Sequence, residues 1–234
     1  MLLPWMNNDA EIEVGLDEVG RGPGFGRLYT AAVIWPKDLV VAPLVMDSKK
    51  IKSSLKMQQA YDFIVENAVD WYVDYATVEE VNDHGPLKAD MISMHRALQG
   101  LKLVPDHILV DGNYFKPTYK DIATTTVKSG DAKYFSIAAA SILAKWSRDQ
   151  HIKELCLMYP LLDTRYGISN NKGYLTTRHI QGIEDHGITE FHRHKYKRCA
   201  GFPLNIIAQV PTMPTMPTMP TKISVKIMLK SSTY

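Results

Sequence analysis

Acids sit where two of this chain's apolar segments stop and just ahead of its alanine-rich helical pattern, and they constrain it more than any other feature. Asp17-Glu18 closes a short alternating run that starts near Glu11. Asp111 closes the run His107-Ile-Leu-Val, and Asp131 lies just ahead of a long alanine-rich helical pattern. A carboxylate at the end of an otherwise apolar strand lies beside the core, where its charge is costly unless something compensates it. If such strand ends converge, the acids repel one another unless cations lie between them. Hard divalent ions such as Mg²⁺ take carboxylate oxygens and water. A pair of ions about 4 Å apart can activate water and stabilise a leaving oxygen in phosphoryl displacement. Taken one at a time, Asp111-Gly112 and Gly130-Asp131 also fit ordinary turn chemistry.

The rest of the pattern defines an α/β chain. Leu28 to Trp35, Trp71 to Ala76 and Ala123 to Lys128 are expected strands, with His107 to Asp111 a short buried one. Ile51 to Asn67 and Asp90 to Leu101 carry helical spacing, with Ile64, Met91, Met94 and Leu98 on apolar faces. Ser136 to Cys156 is the longest helix, with Ser136 as N-cap and Ala138, Ala139 and Ala140 suited to close packing on a sheet. Strands lead and then alternate with helices, so a mixed β-sheet flanked by helices is expected, followed by a C-terminal helical and loop region. Residues 1–203 are expected to form one domain. Residues 204–234 are expected to be a tail, with a Pro-Thr-Met spacer at 211–221 and a weakly strand-like segment at 222–230.

Composition excludes several classes. With 27 Lys and Arg against 25 Asp and Glu, the net charge of +2 rules out a histone-like polycation but allows a local basic face. Two cysteines cannot make a disulfide framework. No apolar run reaches the length of a membrane span, and the first residues lack the pattern of a signal peptide. A cytoplasmic protein with no membrane association is expected. The glycines at 20, 22, 24 and 26 miss the dinucleotide fingerprint because position 25 is Phe25, and no Walker A sequence occurs. A glycine-rich turn after a strand does let the backbone approach a ligand closely, and Arg21 within it can donate to phosphate. His186, His192, His194 and Cys199 do not match zinc-finger spacing. That segment is expected to be mobile, basic and close to nucleic acid.

Several stretches, in order, resemble the ribonuclease HII family. They are Gly15-Leu-Asp17-Glu18-Val-Gly20-Arg21-Gly22-Pro23, Asp47-Ser48-Lys49-Lys50 and Leu109-Val110-Asp111-Gly112-Asn113. Lys128 to Asp149, Lys172-Gly173-Tyr174 with His179, and His192-Arg193 continue the match. The resemblance spans about residues 11 to 198. It departs at Arg27, where proline is usual, at Ser129, one residue more than the family's Lys-Gly-Asp loop, and at Leu175, where glycine is usual.

The resemblance implies a ribonuclease H-like fold and a metal-dependent endonuclease. Its substrates would be the RNA strand of RNA–DNA hybrids and single ribonucleotides embedded in duplex DNA. Incision on the 5′ side of the ribonucleotide would leave 3′-hydroxyl and 5′-phosphate ends, by a two-metal-ion mechanism using Mg²⁺ or Mn²⁺ and no organic cofactor. It implies Asp17, Glu18, Asp111 and Asp131 as catalytic metal ligands. Gly20, Arg21 and Gly22 would read the ribose 2′-hydroxyl, Tyr174 would stack on the deoxyribose at the RNA–DNA junction, and Lys49 would contact substrate. A monomer is expected. Two other functions would use the same acids: a hybrid-binding module without turnover, and a nuclease of the same fold that cuts all-DNA duplexes.

Overall fold

Val14 and Leu16 point to one side of strand β1 (Glu13–Val19) and Gly15 to the other, and this alternation puts β1 at the centre of the molecule. The computed structural model describes residues 2–118 and 121–208. The Pro-Thr-Met spacer and the segment after it lie outside the described residues. β2 (Leu28–Ile34) pairs antiparallel with β1, and β3 (Asp70–Ala76) antiparallel with β2. β4 (His107–Asp111) runs parallel to β1 on its other side, and β5 (Ala123–Val127) runs parallel to β4. The five-stranded order β3-β2-β1-β4-β5 makes the expected mixed sheet.

Helices cover both faces. α1 (Ser54–Asn67) and α4 (Phe135–Met158) pack on the face that carries Ala31, Val33 and Trp35. α3 (Pro86–Gln99), which follows the short α2 (Val78–His84), packs on the face that carries Val14, Leu16, Ala32, Ile108 and Val110. α4 presses close because Ala138, Ala139 and Ala140 are fully buried and β1 offers Gly15 beneath it. A Cβ at Gly15 would lie 2.4 Å from the backbone carbon of Ser136, so any side chain there would push helix and sheet apart.

Ser136 is not the N-cap of α4. The helix begins at Phe135 with Tyr134 in the cap position, and Ser136 is buried inside the first turn. Phe135 is drawn inward by stacking on Trp35, with ring centroids 5.5 Å apart, and its amide donates to the Leu3 carbonyl. Packing therefore starts the helix one residue before the serine.

The C-terminal helices α5 (Pro160–Tyr166), α6 (Ile168–Asn171) and α7 (Thr177–His186) gather around Phe25, Ile152, Tyr166 and Ile183. The expected boundary after residue 203 falls inside this packing. Ile188 pairs with Leu204, the Asn205 amide donates to the Ile188 carbonyl, and Ile207 is buried. Past Pro203 it is Ile207 that joins the core, while Leu204 and Ile206 are exposed. Among the described residues no helix is long and apolar enough to cross a membrane.

At the end of the β1–β4 pair away from the acids, Glu13 lies opposite His107, and its carboxylate meets His107 Nδ1 at 2.8 Å. Glu13 also accepts the amides of Met6 and Asn7 at 2.8 and 2.9 Å. Both carboxylate oxygens of this buried acid are thus satisfied within the protein.

Candidate active site

Parallel pairing of Leu16 with Val110 makes Asp17 and Asp111 the next residues on adjacent central strands. The alternation that turns Leu16 and Val110 toward α3 turns both aspartates toward α4. There Asp17 meets the hydroxyl of Ser141, and that hydroxyl lies 3.0 Å from Ser48 Oγ. Glu18 points to the opposite face, beside Asp90 of α3. Asp131 stands in a 3₁₀ turn (Gly130–Ala132) that leads into α4, and is buried. The Gly130 amide donates to Asp111 Oδ1 at 2.6 Å, which ties that turn to the end of β4. The additional residue Ser129 is accommodated in a left-handed conformation, φ 53°, and Asp131 remains beside Asp111.

These acids act on one another. Burial pushes the Asp17 carboxyl well above the usual aspartate range, and the charges of Glu18 and Asp111 push it further. Asp90 is raised in the same way, first by burial and then by Glu18. Glu18 is raised by burial against the pull of Arg21, and Asp111 is raised by burial against its bond from Gly130. Two cations offset part of this. The Arg21 guanidinium pairs with Glu18 and lies 3.7 Å from Asp90. Lys49, on the 3₁₀ turn Ser48–Lys50, reaches Asp131 at 3.0 Å although its side chain is 80% exposed.

Among the described residues no three acidic, histidine or cysteine side chains close on one point as ion ligands do. Glu18 and Asp131 are turned to Arg21 and Lys49 instead. The donor set still suits a hard divalent cation. It offers carboxylate oxygens that burial and mutual repulsion disfavour in the ionised state, and Glu18 Oε2 is buried without a hydrogen-bond partner.

The glycine-rich turn stands directly after these acids. Gly20 has φ 102°, and a Cβ on it would sit 2.5 Å from Arg148 Nε. Beneath the turn two buried arginines collect its carbonyls. Arg193 donates to Arg21, Pro23 and Gly26, at 2.7 Å for Pro23, and Arg148 donates to Phe25 and Arg27. Tyr196 Oη adds a bond to the Arg21 carbonyl at 2.7 Å. Tyr174, 54% exposed, lies against this turn: a Cβ at Gly22 would be 3.7 Å from its ring. The Gly24 amide bonds the Gly173 carbonyl. Gly20, Arg21, Gly22 and Tyr174 therefore form one surface, and Lys49 lies on the Asp131 side of the acids.

The segment expected to be mobile and basic keeps His194, Lys195, Lys197 and Arg198 exposed, but part of it is built into the core. His192 and Arg193 are buried, because the carbonyls of the turn and an aromatic box of Phe25 and Tyr166 take them in. Sequence reasoning also passes over Asp90, Ser141 and Arg148. Ser141 and Arg148 share α4 seven residues apart, two helical turns, and so face the same side as the buried alanines. That spacing is a readable signal for both. Asp90 offers none, since an acid in an amphipathic helix ordinarily faces water.

The mixed sheet with helices on both faces and acids at its central strand ends defines a fold of the ribonuclease H type. A ribonuclease H2 structure from Pyrococcus horikoshii superposes with a TM-score of 0.67 over 80% of this chain and 95% of that one, at 23% identity. The ribonuclease HII family model matches residues 14–199. A ribonuclease HII of Parabacteroides distasonis is 47% identical over 193 residues, covering 82% of this chain and 93% of that protein. One from Bacteroides thetaiotaomicron is 43% identical over 207 residues, covering 88% and 99%. The chain belongs to the ribonuclease HII family and is a ribonuclease H hydrolase.

Proposed function

We propose that the protein is a divalent-metal-dependent endoribonuclease that cuts the RNA strand of RNA–DNA hybrids and incises 5′ of ribonucleotides embedded in duplex DNA. The observation that carries this is the adjacency of Asp17 and Asp111 at the ends of parallel central strands, with Glu18 and Asp131 beside them and the glycine turn next in the chain. Asp17, Glu18, Asp111 and Asp131 would hold Mg²⁺ or Mn²⁺. Bound as a pair, such ions supply an activated water and stabilisation of the leaving 3′-oxygen, leaving 3′-hydroxyl and 5′-phosphate ends.

The chain's own groups do the selecting. Carbonyls of the turn from Arg21 to Arg27 are bonded inward by Arg148, Arg193 and Tyr196. The short-range polar contact needed to sense a 2′-hydroxyl is thus left to the outward backbone of Gly20-Arg21-Gly22. Gly22 carries no side chain that would hold the sugar away. Tyr174 presents a ring face next to it for the neighbouring deoxyribose. Lys49 and Arg21 are exposed enough to leave their carboxylate partners for phosphate oxygens as cations enter the acid cluster. The protein acts as a monomer in this scheme.

An end-labelled DNA duplex with one ribonucleotide, incubated with and without Mg²⁺ beside an all-DNA control, tests the proposal. Cleavage 5′ of the ribonucleotide is expected only with metal, and Asp17→Asn or Asp111→Asn should reduce it to the level of a chelator control. Metal-dependent cutting of the all-DNA duplex, or tight binding without product, would refute it.

A further inference from the structure

Behind Tyr174 the structure contains a directed chain of hydrogen bonds that ends on its backbone. The Thr189 amide donates to His192 Nδ1 at 2.9 Å. An amide nitrogen can only donate, so His192 Nδ1 carries the lone pair, and the neutral ring bears its proton on Nε2. That proton points at His179 Nε2, 3.0 Å away, which must then be the acceptor. His179 consequently bears its proton on Nδ1, which lies 3.1 Å from the Tyr174 carbonyl. A carbonyl can only accept, so both ends of the chain demand the same tautomers independently. Neither imidazole is open to solvent, and Phe25 and Tyr166 enclose the pair edge-on.

The Tyr174 peptide is held at several points. Its carbonyl also accepts from the Thr176 amide at 2.8 Å, and its own amide donates to Asn171 at 2.9 Å. Only the ring is free, and it lies over Gly22. Lys172 and Gly173, the two residues before it, both have positive φ, 52° and 82°. Gly173 takes its positive φ freely, whereas the left-handed Lys172 that caps α6 carries a modest conformational cost.

We propose that His179 is a positioning residue for substrate selection: the Thr189–His192–His179 chain holds the Tyr174 carbonyl so that its ring stays over Gly22, and this sets the preference for a ribonucleotide followed by deoxyribose. This rests on the ribonucleotide-incising function proposed above.

Two substitutions at one position separate this role from general support of the fold. Asparagine places its amide nitrogen near the place of Nδ1, and glutamine its amide oxygen near that of Nε2, where it can accept from His192. His179→Asn keeps a donor for the Tyr174 carbonyl and drops the link to His192, whereas His179→Gln does the reverse. Each variant loses one hydrogen bond, so their melting temperatures should be similar. kcat and KM are measured on a DNA duplex with one ribonucleotide and on a uniform RNA–DNA hybrid, which has no such junction. His179→Gln should lose about tenfold in kcat on the junction substrate relative to the hybrid, the worth of one hydrogen bond, while His179→Asn stays near wild type. In a Tyr174→Ala background His179→Gln should have no further effect on that ratio.

Equal losses in the two variants, or an equal loss on both substrates, would overturn the inference. Should neither variant fold, ¹⁵N spectra of the imidazoles in the native protein decide: protons on His192 Nε2 and His179 Nδ1 are expected, and the opposite tautomer of His179 overturns it. Wild-type protein that cuts neither substrate would instead refute the proposed function and take this inference with it. Wild-type activity without the split removes the inference alone.

Discussion

Replacing Asp17 by asparagine should make the metal-free protein more stable while removing its activity. Asp17 is buried beside Glu18 and one strand away from Asp111. Paired strands lie about 5 Å apart, and two unit charges at that distance repel by about 3 kcal/mol at an effective dielectric constant of 20. Partial protonation and the nearby cations Arg21 and Lys49 reduce this to about 1–2 kcal/mol. The asparagine oxygen can still accept the Glu18 amide, which Asp17 Oδ1 takes at 2.7 Å, and the Ser141 hydroxyl can accept from the new amide nitrogen. For a domain of this size each kcal/mol is about 2–4 °C, so the gain in chelator should be about 2–8 °C. The sign with pH follows from a carboxyl raised on folding. Its penalty is absent below the unfolded value, grows as pH rises toward the folded value, and is complete above it. The difference between variant and wild type, read by scanning fluorimetry in chelator, should therefore shrink on acidification. Divalent metal should reverse the ranking. A variant that melts at or below wild type in chelator at neutral pH would refute the view that these acids strain the apo fold.

Two further outcomes are expected. Gly15→Ala should cost roughly 2–4 kcal/mol, read as a lower urea midpoint, because the new Cβ would lie 2.4 and 2.5 Å from backbone atoms of Ser136 and Ile137; an unchanged midpoint would mean that α4 slides freely. Burial and the neighbouring His179 push His192 down to about 3 from its ordinary 6.5. A histidine lowered on folding supplies stability that is complete above about pH 6.5 and lost as pH falls through the window below it, about 2 kcal/mol by pH 5. His192→Asn should show a correspondingly flatter stability profile over that range, and parallel profiles would count against a neutral buried pair.

Asp17 and Asp111 are legible in the sequence because an acid that ends an apolar run has no ordinary core explanation. Their adjacency is not, since it depends on β1 choosing β4 as a parallel neighbour across more than eighty intervening residues. Asp90 is hidden for a different reason. It lies on α3 amid helical spacing that suits a solvent-facing acid, and only the crossing of α3 toward Arg21 and Glu18 buries it. Arg193 looks like surface charge, because the carbonyls that hold it belong to a turn some 170 residues away and carbonyls leave no trace in side-chain identity. The short helices α2, α5 and α6 offer too few turns for periodicity to register, although the capping box of Thr77 and Glu80 marks the start of α2.

The Glu13–His107 pair, far from any substrate, bears on how this enzyme comes into being. A slip of one residue between β1 and β4 would separate these two and would also turn one of Asp17 and Asp111 to the wrong face of the sheet. The buried pair therefore proofreads strand register at one end on behalf of the acids at the other. On a ribosome β1 and β2 can form their hairpin early, but β4 emerges much later, and closing so long a loop is slow. The chain would thus pass through most of its synthesis without a nuclease centre, and the first correctly registered β1–β4 pair would create it in one step.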